Sequence, residues 1–352
     1  MQNPTIHKVE FSGNARSYFG IWIVNILLSI VTLGIYSAWA KVRTRRYMYQ
    51  HTAIDGRRFD YHATGMQIFI GRLIVVAGFI VFSIVSAIPI IGLVAIFGLL
   101  FLAPWLINRG MLFNARVTSW SGLRFGFDGS YWRAFRVYIL YPFLSLFTLY
   151  LAIPFAIRAQ HSYSVNSHRF GTAKFHFESS VKPFYVAFLL AIGWMALAGL
   201  LMFLVLGGGE IFAEIAMAER TGRAPDDALM LRMGIFYVLL ILAVLPAGFI
   251  YQAFLRNAVY GATSLAGGHE FRSDVKPMQL VWIGVSNAVA IICSLGMLLP
   301  WAHIRMMRYL SDHTFILANG SLDDFTGQQE ESVGAIGDAY ADLEGFDVGL
   351  PV

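Results

Sequence analysis

Charge is what this sequence has least of: 13% of its 352 residues are Asp, Glu, Lys or Arg, against about 25% in an ordinary soluble domain. With 57% of residues hydrophobic and a mean hydropathy of +0.61, that shortage excludes a water-soluble fold. Cysteine is nearly missing. Cys293 stands alone inside an apolar run, which rules out an intramolecular disulfide and a cysteine-built metal site. Nine histidines are present but at no zinc-ligand spacing: His161 and His168 are seven apart, and no His-Glu-x-x-His occurs. The apolar runs hold no Asp or Glu pair for acid-base work or proton relay. Gly207-Gly208-Gly209 is not followed by Lys-Ser or Lys-Thr, so it is not a phosphate loop. These absences argue against an enzyme and leave neither a metal nor another cofactor to expect. A cleavable signal is lacking too, because Met1 to Arg16 is polar and the first apolar run ends in Trp39-Ala40-Lys41. The first apolar segment is therefore expected to remain in the mature protein.

What is present is a series of long apolar segments, at about 19–40, 68–88, 90–107, 137–157, 184–206, 233–255 and 278–301. Each is long enough to cross a hydrocarbon core of roughly 30 Å. The expected fold class is an all-α polytopic membrane protein, with about seven apolar helices in a repeat-built bundle and short β-hairpin-like segments at the membrane surface. Pro89 leaves almost no loop between the second and third segments, which predicts a tight helical hairpin. The net charge of +5 is carried by Lys and Arg directly beside apolar runs. That placement reads as positive-inside topology and lipid headgroup contact rather than nucleic-acid binding, for which no motif is present.

Three regions follow. A polar segment covers 1–18, a transmembrane domain covers 19–320 with a polar insert at 207–232, and an acidic tail covers 321–352. The tail carries Asp323, Asp324, Glu330, Glu331, Asp338, Asp342, Glu344 and Asp347 with no Lys or Arg. Such composition predicts disorder unless a partner orders it, and a membrane-protein partner is the kind the tail suits.

Shifting the first apolar segment by 262 positions superimposes Ile21, Asn25, Ile30, Leu33, Gly34, Trp39, Ala40, Arg43, Arg46, Tyr47, His51, Thr52 and Ile54 on identical residues from Ile283 to Ile316. Thirteen identities in 34 positions make the two ends of the chain copies of one another. Weaker copies lie between them, marked by an aromatic that ends an apolar run and another twenty residues on: Trp39 and Phe59, Trp105 and Phe125, Phe155 and Phe175, with Phe249 and Phe271 needing a small insertion. About five degenerate copies result, the last truncated. Each reads as an apolar helix, a cationic turn such as Lys41 to Arg46, and an alternating segment with a turn signal such as Asp55-Gly56. Two topologies remain open. If the segments before Trp39, Phe155 and Trp301 are simple spans, the copies face both sides of the membrane. If they are re-entrant, every cationic turn faces the cytoplasm.

The stretches Tyr18 to Asn25, Thr32 to Arg43 and Thr52 to Gly56 resemble the YjgN family of bacterial inner-membrane proteins. The resemblance covers nearly the whole chain, and Trp39-Ala40-Lys41-Val42-Arg43 is its most specific part. It implies a multi-pass location in the bacterial inner (cytoplasmic) membrane. The family's function is unknown, so no catalytic or binding residue is implied.

Two sets of residues are singled out. Arg43 with Arg46, and Arg305 with Arg308, are spaced i, i+3 and share a helix face, where their guanidinium groups with Trp39 and Trp301 suit an anionic lipid headgroup. Interfacial anchoring is the plainer account of the same residues. Asn25 and Asn287 lie at equivalent depths in apolar runs, where an unpaired amide is costly. They read as a structural contact with each other, or else as the polar lining of a path. The resulting expectation is a non-enzymatic membrane protein whose repeated cationic element engages anionic lipid or a protein partner. A transporter or channel for a small solute is the alternative, since many transporters are built from repeats.

Overall fold

The computed structural model describes residues 4–222 and 226–346, so Asp347 lies outside the described residues. The chain opens with strand β1 (Thr5–Phe11), followed by helices α1 (Ala15–Val31) and α2 (Ser37–Gln50) and the hairpin β2 (Thr52–Ile54) and β3 (Arg57–Tyr61). Next come α3 (Gly65–Ser86), α4 (Pro89–Arg116), β4 (Thr118–Trp120) and β5 (Leu123–Phe127). A short α5 (Tyr131–Phe135), a π-helical turn (Arg136–Leu140), α6 (Tyr141–Leu146) and α7 (Ile153–Asn166) lead to β6 (His168–Phe170) and β7 (Ala173–Phe177). Helices α8 (Lys182–Val205), α9 (Gly208–Thr221) and α10 (Asp227–Gly261) precede β8 (Thr263–Leu265) and β9 (His269–Ser273). Helices α11 (Pro277–Cys293) and α12 (Leu299–Asp312), strand β10 (Thr314–Ala318) and helix α13 (Leu322–Phe346) complete the chain.

The expectation of an all-α bundle of about seven apolar helices is overturned. The ten strands form one closed antiparallel barrel in sequence order, completed where β1 pairs with β10, Thr5 opposite Ala318 and Lys8 opposite Phe315. Each strand is only three to seven residues long, too short for a period-two signal of its own, but closure leaves no unpaired edge. Asp55-Gly56 turns β2 into β3, with both residues at positive φ (53° and 72°) as a two-residue hairpin loop requires. Successive residues alternate across the wall. Phe59, Phe125, Phe175 and Phe271 take equivalent inward positions and pack with buried Val9, Ile54, Trp120, Phe170, Leu265 and Ile316. The second aromatic of each twenty-residue spacing is thus a barrel-core residue.

Among the described residues, four helices are long and apolar enough to cross a membrane: α3, α4, α8 and α10. Three apolar runs that read as spans are instead broken. Leu33 and Gly34 take φ of 50° and 88°, Leu149 and Tyr150 take 49° and 65°, and Leu295 and Gly296 take 49° and 88°. In each break the second residue's N–H reaches back five residues, Gly34 to Ser29 O at 2.7 Å, Tyr150 to Ser145 O at 2.8 Å and Gly296 to Ile291 O at 2.7 Å. This bond closes the preceding helix in a Schellman turn. A hydroxyl before each break, Thr32, Thr148 or Ser294, accepts from the N–H four residues on at 2.9–3.1 Å, so the backbone donor of the residue just before the return helix is satisfied. Helix α2 doubles back along α1, so that Tyr47 stacks on Tyr18 at 5.4 Å. The second break does the same, setting Tyr163 of α7 against Tyr138 at 6.0 Å.

The chain divides into two compact units. The first, Met1–Ser179 with Val259–Asp274 and Leu299–Val352, contains the whole barrel. Gly65 opens α3 beneath the Trp39 indole, where an added Cβ would lie 2.2 Å from the ring, so glycine alone permits that approach. The second unit, Ser180–Ala258 with Val275–Leu298, is helical. There the Trp194 indole donates to Ala243 O at 3.1 Å, Phe249 packs on Gly284, and Arg232 pairs with Glu214 at 2.8 Å.

The acidic segment, expected to be disordered unless a partner orders it, packs its first residues into the barrel. Leu322 and Phe325 are buried in the barrel core. Arg57 pairs with Asp323 and donates to Thr326 Oγ1 at 2.5 Å. Gln329 Oε1 accepts from Thr172 N and Ala173 N, both at 3.0 Å. Helix α13 therefore lies across the end of the barrel that carries the hairpin turns.

Candidate functional site

The barrel interior is a core, not a pore. Its aromatic side chains and Phe325 leave a cavity of about 70 Å³. His269 is buried there, edge-on to Phe325 at 4.4 Å, and its Nδ1 accepts from Asn319 N at 3.3 Å. Burial pushes the His269 pKa below its ordinary value.

An open recess of about 850 Å³ lies among α1, α2, α3 and α12. Helix α1 contributes Trp22, Ile26 and Ile30 at i, i+4, i+8, an apolar stripe, with Asn25 and Ser29 beside it. Helix α2 contributes Ser37, Lys41 and Arg45 at the same spacing, and α3 contributes Arg72. Arg72 donates to the Ser37 hydroxyl. Arg45 donates to Asn114 Oδ1 at 2.8 Å and Tyr61 OH at 3.2 Å and lies over the Tyr61 ring. No Asp or Glu lines the recess. Among the described residues no carboxylate pairs with Lys41, Arg45 or Arg72. Three cations above an apolar stripe can hold a phosphate whose attached group is hydrophobic.

The hairpin of α5 to α7 holds a smaller cleft of about 310 Å³, lined by Arg133, Arg136 and Arg158 with Ser162, Asn166 and Tyr141. It also contains no carboxylate. Arg158 Nε donates to Ser179 O at 2.6 Å, leaving the rest of its guanidinium for the cleft.

The residues singled out from sequence are placed differently. Arg43 donates to Asn25 Oδ1 at 3.3 Å and Tyr36 OH at 3.1 Å, while Asn25 Nδ2 donates to Ala40 O at 3.4 Å. The Asn25 amide thus finds its partners within its own hairpin. Arg46 donates to Tyr61 O at 3.3 Å and Arg308 to Gly13 O at 3.0 Å, fastening α2 and α12 to chain at the foot of the barrel. Trp39 packs on Gly65, Phe69 and Tyr36. Arg305 lies 5.2 Å over the Trp301 ring. Asn287 is buried in α11. Arg43 and Arg46 lie outside the recess, whose lining takes Lys41 and Arg45 at i, i+4 instead, Arg45 being bonded within the fold to Asn114 and Tyr61 as well. The signal sequence reasoning passed over is Arg72, the single charge in the 68–88 run, which is the kind of residue that marks a site within a membrane segment.

A profile of the bacterial family described as "Bacterial protein of unknown function (DUF898)" matches residues 6–343. Inner membrane protein YjgN of Salmonella typhimurium is 28% identical over 371 residues, covering 92% of this chain and 91% of that protein. Inner membrane protein YjgN of Escherichia coli K12 is 36% identical over 140 residues, 38% of this chain and 35% of that protein. No solved structure matches.

Proposed function

This chain belongs to the DUF898 family of bacterial proteins and is a multi-pass protein of the bacterial inner membrane; from that premise we propose that it is a non-enzymatic platform that holds a barrel against the cytoplasmic membrane surface on anionic lipid. One observation carries this reading: the single barrel takes a hairpin or strand from every part of the chain. Because β3 and β4, β5 and β6, β7 and β8, and β9 and β10 are all antiparallel neighbours, each helical excursion between them leaves and returns at one end of the barrel. All the cationic turns then share one side of the membrane. Among the described residues, Arg220 and Arg232 are the only Lys or Arg beyond or at the ends of the four membrane-length helices that are remote in sequence from a barrel strand. That asymmetry supports a cytoplasmic barrel.

The repeated pattern supports the same reading. Two re-entrant hairpins carry carboxylate-free clefts with three cations each, and cations near an anionic leaflet contribute about 1 kcal/mol apiece. We read the three breaks at Leu33, Leu149 and Leu295 as membrane-immersed tips, because these leucines are 94%, 84% and 95% exposed. A leucine at positive φ costs roughly 1–2 kcal/mol, and burying its side chain in hydrocarbon returns about 1.5–3 kcal/mol, so immersion outweighs the strain. The filled barrel offers a transport reading no path through it.

The test is the lipid that accompanies the purified protein. The reading predicts enrichment of anionic over zwitterionic phospholipid relative to the source membrane, and a co-purified composition equal to the bulk membrane would sink it.

A further inference from the structure

We propose that the recess among α1, α2, α3 and α12 is a binding site for one anionic phospholipid, its phosphate held by Lys41, Arg45 and Arg72 and an acyl chain laid along Trp22, Ile26 and Ile30. The proposal rests on the platform reading and narrows it from a charged surface to a built site. Helix α1 presents the apolar stripe on one face, and α2 presents the cations across the recess from it. Both stripes repeat every four residues, so each forms a continuous row along its helix. At about 850 Å³ the recess is in the range of ligand pockets, roughly 300–1,000 Å³.

Charge complementarity selects the occupant. With no carboxylate in the lining and no ion-pair partner for the three cations among the described residues, the recess carries an uncompensated positive field. Arg72 lies seven residues beyond the start of α3, about 10 Å along the helix at 1.5 Å per residue, beside Ser37. A guanidinium at that depth is stabilised by an anion brought to it. A free phosphate would satisfy the cations but leave the apolar stripe uncovered. A zwitterionic lipid would cover the stripe but bring its own cation. An anionic phospholipid does both.

The experiment titrates delipidated full-length protein with phosphatidylglycerol in mixed micelles and counts bound lipid by native mass spectrometry. Phosphatidylcholine and inorganic phosphate serve as comparison ligands. The variant K41Q/R45Q/R72Q is set against R58Q/R124Q/K174Q, which removes equal charge from exposed positions on the barrel. The wild type should hold one phosphatidylglycerol more tightly than any other lipid, and inorganic phosphate should not displace it. The groove variant should weaken that event by about fivefold per cation, on the order of a hundredfold for three. The barrel variant should leave it unchanged. I26D, which puts a carboxylate in the apolar stripe, should also weaken it in folded protein, giving a second readout if the triple variant fails to fold. Equal loss in the barrel and groove variants, or displacement by inorganic phosphate, overturns the specific site while the platform reading stands. Absence of any preference for phosphatidylglycerol over phosphatidylcholine overturns both.

Discussion

Phe325 enters the barrel from a helix, stacks against Phe170 at 6.2 Å and meets His269 edge-on at 4.4 Å. Truncating it would enlarge the existing cavity of about 70 Å³ rather than let the wall collapse. Phe325→Ala should therefore cost about 3 kcal/mol or more and loosen α13, seen as a lower melting temperature and faster proteolysis beyond Ala318. His269 gives the same region a pH dependence. Its folded pKa lies below 6.5 because burial disfavours the imidazolium, so the unfolded chain binds more protons and stability rises with pH through that window. Acidification from pH 7 to 5.5 should destabilise the barrel, and His269→Gln should flatten the dependence in a denaturation series; an unchanged slope would remove His269 as its cause. At Gly65 the limit is steric. Gly65→Ala places a methyl 2.2 Å from the Trp39 ring and should shift the Trp39 fluorescence while leaving the barrel folded.

At the scale of elements, the four spans and the three broken helices use nearly the same apolar composition and differ in backbone. Thr32-Leu33-Gly34 and Ser294-Leu295-Gly296 place glycine at φ 88°, where it has no steric penalty. Leu149-Tyr150 makes the same turn without glycine, and that is why composition alone does not distinguish a broken apolar segment from a continuous helix. The hairpin turns were legible because Asp55-Gly56 requires positive φ, and the inward phenylalanines because their spacing recurs. The barrel itself was not, since closure depends on β1 meeting β10 across more than 300 residues, and β1 reads as a short polar segment. A fluorophore attached through Leu33→Cys, in a Cys293→Ser background, should be quenched by a lipid-borne quencher and not by aqueous iodide. Quenching by iodide alone would place the tip outside the bilayer.

For the whole molecule, the sequence separates location from site. Location follows from apolar length and the distribution of Lys and Arg, both readable without contacts. The recess needs α1, α2, α3 and α12 to meet, and only the fold shows that Lys41 and Arg45 line it while Arg43 and Arg46 do not. The acidic segment illustrates the same limit: its charge is readable, but the burial of Leu322 and Phe325 depends on a barrel built elsewhere in the chain.

One measurement tests the one-sided platform most directly. Single cysteines at Arg58→Cys, Lys174→Cys and Glu219→Cys, each in the Cys293→Ser background, are exposed to a membrane-impermeant maleimide in spheroplasts and in inverted membrane vesicles. The account predicts that the Arg58 and Lys174 positions, on different barrel hairpins, label only in inverted vesicles, and that the Glu219 position in α9 labels only in spheroplasts. Labelling of the Arg58 and Lys174 positions from opposite sides would contradict it, because a single closed barrel cannot have hairpins on both faces of a membrane.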